Sequence, residues 1–126
     1  MDEGLAPGRG RGRASEPGAR LLAIFDVFDD WFRREDFEGC SFINVLLEIA
    51  DPASPVHRAS ATYLARIRSF VERLAAEAGV EDAEGFARKW HILMKGSIVA
   101  AAEGDREAAR RGRAVGVLVL SDARGS

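Results

Sequence analysis

Cys40, His57 and His91 are the side chains best suited to holding a metal or activating a nucleophile, yet their spacing supports neither. A zinc site draws on paired cysteines or on histidines one helical turn apart. Neither histidine has a His, Cys or carboxylate neighbour at such a spacing. No HExxH, paired-cysteine or calcium-loop pattern occurs. There is no nucleophile elbow, and scattered Ser, His and Asp residues do not make a triad. Asp29 and Asp30 are adjacent, so on a helix they diverge and read as a solvated face, not an acid/base pair. No catalytic residue, metal site or cofactor is expected. The chain reads as a non-enzyme.

A different chemistry is suggested by polar side chains at positions where the pattern is otherwise apolar: Asn44, Ser60, Tyr63, His91 and Ser97. A buried polar group without partners costs about 1–3 kcal/mol, so each must bond backbone, water or a ligand. Most aromatic residues lie between Phe25 and Phe42, with Tyr63 and Trp90 further on. Aromatics at helical spacing are most often core. Taken with the polar set, they would line a cavity for a small, largely apolar ligand. On that reading Phe28, Phe42, Asn44, Tyr63, Trp90, His91 and Met94 are the candidate contacts. Asn44 stands out because it precedes Val45-Leu46-Leu47 on a segment expected to be too short and apolar for the surface. Cys40 reads as a small buried apolar group rather than a redox switch.

These residues must be positioned by helices. Leu21, Ile24, Phe25, Phe28, Trp31 and Phe32 recur at helical spacing after Ser15-Glu16-Pro17, a cap followed by a proline tolerated in an opening turn. This first helix should reach about Arg34. A loop, 35–41, leads to a short helix from Phe42 to about Ile49, which Asp51-Pro52 breaks. Ser54-Pro55 starts a third helix with a stripe from Val56 to Leu74, closed by Gly79 as a left-handed cap. Asp82 caps a fourth, carrying Phe86, Trp90, Leu93, Met94, Ser97 and Ile98, and Asp105 caps a fifth from Arg106 to about Leu120. Residues 115–120 have strand propensity, but one strand would have nothing to pair with. The expected fold class is all-α, a five-helix bundle.

At 126 residues the chain supports one domain, and a 47% hydrophobic content is ordinary for a globular protein. Residues 1–19 form a Gly/Arg-rich tail without apolar periodicity and are expected to be disordered, leaving 20–120 as the folded unit and 121–126 as a second disordered tail. The run Gly8-Arg9-Gly10-Arg11-Gly12-Arg13 reads as a solvated linker, with a flexible nucleic-acid arm as the alternative. A net charge of −2 gives no general attraction to nucleic acid or membrane, although Arg110, Arg111 and Arg113 cluster. A single cysteine and no recognisable leader or membrane span point to the cytoplasm. The dominance of arginine over lysine and the abundance of alanine suggest a GC-rich bacterial genome.

Gly112 and Gly116 each cost about 1 kcal/mol against alanine inside a helix. With Ala108 they form a row of small residues that lets another helix approach closely. Packing within one protomer is one reading. The favoured reading is a homodimer seam in which the last two helices meet their symmetry mates as a four-helix bundle. Its expected contacts are Phe86, Leu93, Ser97, Ala108, Gly112, Val115, Gly116 and Val119.

From Leu21 to about Leu120 the chain resembles the C-terminal, effector-binding and dimerisation domain of tetracycline-repressor-type (TetR) transcriptional regulators. The likeness rests on Leu21-Leu22-Ala23-Ile24-Phe25-Asp26, on Phe37-Glu38-Gly39-Cys40-Ser41-Phe42-Ile43-Asn44 and on Asp51-Pro52-Ala53-Ser54-Pro55-Val56. The alanine-rich stretch 96–102, followed by Gly104-Asp105, also matches. One branch of that family carries a proline after the loop cysteine, where this chain has Ser41. The resemblance implies a homodimer that senses a small apolar effector and releases DNA through a shift in conformational populations. DNA would be bound only through a helix-turn-helix domain, which residues 1–19 cannot form. Effector contacts vary within the family, so none is transferred. Alternatives are a headless interaction protein that forms inactive heterodimers with full-length regulators, and a Gly/Arg-tailed nucleic-acid-binding helical protein.

Overall fold

The computed structural model describes residues 16–125. The Gly/Arg run, the greater part of the expected N-terminal tail and Ser15 lie outside the described residues. Within them the chain forms five helices and no strand: α1 Pro17–Phe32, α2 Ser41–Glu48, α3 Pro55–Glu77, α4 Ala83–Ala102 and α5 Ala108–Ala123. The valine-rich end of α5 is helical, as expected.

Local chemistry sets most of the boundaries. Glu16 caps α1, its Oε1 accepting from Gly18 N at 3.1 Å, with Pro17 in the opening turn. Ser54 Oγ accepts from His57 N at the start of α3, and Asp82 Oδ1 accepts from Gly85 N at the start of α4. Gly79 and Gly104 terminate α3 and α4 with φ of +89° and +109°, a region that disfavours any residue with a Cβ. Several boundaries differ from expectation, among them the start of α2 at Ser41 rather than Phe42 and the end of α1 at Phe32 rather than about Arg34. The helix begins at Pro17, inside the segment expected to be disordered. α5 starts at Ala108 rather than Arg106, because Asp105 Oδ1 accepts from Glu107 N in a preceding turn. α5 also runs past Leu120 to Ala123, into the expected second tail, and Arg124 there pairs with Glu16 at 2.9 Å and donates to the Ala78 carbonyl.

Helices α1, α3, α4 and α5 pack around Phe25, Leu21, Val71 and Trp90, which are almost completely buried. A smaller cluster of Ile43, Leu64 and Ile98 joins α2 to α3 and α4. Phe28 and Ile67 touch both. The glycine row of α5 faces this interior. A Cβ on Gly116 would come within 2.8 Å of Trp90 Cη2, and one on Gly112 would meet Ser97 Oγ and lie 2.9 Å from Phe25 Cε1. The small residues therefore admit Phe25 and Trp90 of the same protomer. Periodicity could not tell this face from the outer one, since both are small or apolar.

The arginine cluster is engaged. Arg110 approaches Asp29 at 4.0 Å, Arg111 pairs with Asp105 at 3.1 Å, and Arg113 lies 3.6 Å from Asp26. These exposed pairs contribute little stability, but they spread the local charge over both signs. Among the described residues no helix is long and apolar enough to cross a membrane.

Candidate functional site

The two apolar clusters do not merge completely, and a chamber of about 450 Å³ lies along their seam. That volume falls within the range of small-molecule sites, roughly 300–1,000 Å³. α1 contributes Ile24, Phe28 and Trp31, α3 contributes Tyr63, Leu64, Ile67, Phe70 and Val71, and α4 contributes His91, Met94, Lys95 and Ile98. The fourth wall is the junction from Gly39 to Ile43.

The junction takes its shape from its sequence. Gly39 has φ +83°, which turns the chain back after α1. Phe37 packs edge-on against Trp31 at 5.1 Å between ring centres. Phe42 then stacks on Tyr63 at 3.9 Å, joining α2 to α3 beside the chamber. His57 Nδ1 bonds the Ile49 carbonyl at 2.6 Å and so ties the end of α2 to the start of α3.

Among the expected contacts, Phe28, Phe42, Tyr63, His91 and Met94 are brought together in the chamber wall. Two are not. Trp90 is fully buried in the main core, stacked on Phe86 at 5.1 Å and wedged against Gly116. Neighbours along a helix diverge by about 100°, so Trp90 enters the main core while His91 lines the chamber. Asn44 is exposed, and its amide folds back toward Gly39. The premise that α2 must be buried is corrected: only Ile43 of this helix is buried, and Leu47 is 74% exposed. Lys95 joins the wall without being among the expected contacts, although its spacing of one turn from His91 marks the same helix face. Trp31, from the apolar stripe of α1, lines the wall too.

His91 is the wall's most constrained polar group. It is 2% exposed, and its Nδ1 has no hydrogen-bond partner among the described residues. Burial, aided by the charges of Lys95 and Arg68, lowers its pKa to about 4, so the ring is neutral at pH 7. Ser97, by contrast, satisfies itself by donating to the Leu93 carbonyl at 2.9 Å. Cys40 is a free, half-buried thiol in the junction wall. Among the described residues no three His, Cys, Asp or Glu side chains gather as metal ligands would.

The expected seam residues divide by depth. Phe86, Ser97, Ala108, Gly112 and Gly116 are buried within the protomer, and Leu93 and Val119 are half-buried. Only Val115 is exposed, at 46%. The outer face is formed instead by Ile92 and Leu118, 67% and 70% exposed, with Val99 and Val115 beside them. Ser97, Ala108 and Gly112 line a groove between α4 and α5 that Ile92 and Val115 also border.

Fold and chamber together define an all-α domain with a built-in apolar cavity. The family described as tetracyclin repressor-like, C-terminal domain, matches residues 17–115, and the chain belongs to it. The crystal structure of a TetR-family transcriptional regulator from Streptomyces coelicolor is similar with a TM-score of 0.81 and 29% identity. The likeness covers 90% of this chain and 61% of that one, so this chain spans less than two thirds of that relative's length. No match was found among curated proteins.

Proposed function

We propose that α1–α5 form the effector-sensing and dimerisation part of a transcriptional regulator that works in the cytoplasm. The observation that carries this is the chamber: apolar walls from three helices and the 39–43 junction, with a few polar groups converging from α3 and α4. A small, largely apolar effector would enter beside the Phe42–Tyr63 stack. The outer face of α4 and α5 suits a second copy of the chain, since Ile92, Val99, Val115 and Leu118 form an apolar strip on adjacent helices. Operator binding is assigned to no residue of α1–α5, and no catalytic step is assigned to the chamber.

Thermal-shift screening with small apolar compounds tests the sensing role. A ligand at a hundred times its Kd stabilises by about 2.7 kcal/mol, which raises Tm by roughly 10–20 °C in a domain of this size. A broad apolar panel that leaves Tm unmoved would contradict the reading.

A further inference from the structure

The charge of the chamber is one-sided. The chain holds 20 Asp and Glu residues, and none lines the chamber wall. Its formal charge is the Lys95 ammonium, one turn beyond His91 on α4. Lys95 is half-buried and makes no ion pair among the described residues. The arginines of α5, in contrast, each have a carboxylate within 4.0 Å. Next to Lys95, the ring of His91 is buried with Nδ1 unpartnered. Arg68 of α3 adds a second positive charge that acts on the same ring.

A half-buried lysine with no counter-ion offers an unneutralised positive charge, and a buried ring nitrogen is unfavourable unless it is bonded. A neutral imidazole offers one N–H donor beside the three of the ammonium. One class of ligand meets both demands and the apolar remainder of the wall. We propose, resting on the sensing role above, that the chamber binds an amphipathic monocarboxylate. Its carboxylate accepts from Lys95 and His91, and its aliphatic or aromatic body lies among Phe28, Trp31, Ile67 and Ile98. A neutral ester of the same body fills the same space without neutralising Lys95. An amine is repelled.

The test uses the full chain and the neutral fluorophore N-phenyl-1-naphthylamine, displaced at pH 7.5 by decanoate or by methyl decanoate. Decanoate is expected to displace it from the wild type at a concentration at least about tenfold lower than the ester, the scale of one charge-assisted contact. Lys95→Met keeps the aliphatic stem and removes the charge, and it should shrink that ratio below about twofold, both competitors being read against the variant's own fluorophore affinity. An ester as effective as the acid in the wild type, or an acid preference that survives Lys95→Met, overturns the proposal. Ile98→Trp, or Leu64→Phe if the first does not fold, fills the chamber and separates the sensing role from the carboxylate preference. Fluorophore binding lost on filling but without acid preference leaves the sensing role and sinks the carboxylate. Binding that ignores filling sinks both.

Discussion

At His91, burial strips water from the ring while Lys95 and Arg68 add positive charge, so the imidazole stays neutral down to about pH 4. The unfolded chain titrates near 6.5, so between these values the unfolded state holds the extra proton. Stability is therefore complete above pH 6.5 and falls as the pH drops toward 4, by on the order of 1–3 kcal/mol. His91→Phe should flatten that fall in urea titrations at pH 7 and pH 4.5. At pH 7 it should cost nothing or stabilise slightly, because an unbonded nitrogen is removed. A loss above about 2 kcal/mol at pH 7 would show that the ring is bonded within the fold. Gly116 gives a second residue-scale outcome. Alanine there gains about 1 kcal/mol of helix propensity but drives a methyl into the fully buried Trp90 ring, which costs about 1–3 kcal/mol. The urea midpoint of Gly116→Ala should fall, and a rise would contradict the packing described. Sequence alone found His91 because a polar residue interrupts an apolar stripe. The same signal misplaced Asn44, since a polar residue among apolar ones is also what a short surface helix shows.

Among the elements, α4 and α5 carry two apolar faces each, so the sequence does not say which of them a second copy would cover. The small row at Ala108, Gly112 and Gly116 announces close approach but not of what, and the rings of Phe25 and Trp90 claim it. The strip left for a partner is the next one around, with Ile92, Gly96 and Val99 on α4 and Val115 and Leu118 on α5. Leu118→Glu should raise the dimer dissociation constant at least about tenfold in analytical ultracentrifugation, since it buries a charge at an apolar contact. Gly96→Ala separates the two states. A Cβ there meets nothing within 4 Å, so in an isolated protomer it should stabilise α4 by roughly 1 kcal/mol. In a dimer with closely approaching helices it should weaken association instead. A wild type that sediments as a monomer at all concentrations would remove the seam altogether.

For the whole molecule, helix number and order and the caps of α3 and α4 could be read from proline, glycine and capping residues, because each acts within a few positions of where it stands. Caps such as Asp82 and stops such as Gly79 are of this kind. The chamber depends on long-range packing. It exists because the cluster around Ile43, Leu64 and Ile98 meets the Trp90 core only through Phe28 and Ile67, and no local pattern encodes that gap. Its central role is tested most directly by hydrogen–deuterium exchange with saturating N-phenyl-1-naphthylamine. Slowed exchange is expected in residues 24–31, 39–43, 63–71 and 91–98, with 111–118 unchanged. Protection confined to 111–118, or none anywhere, would contradict it.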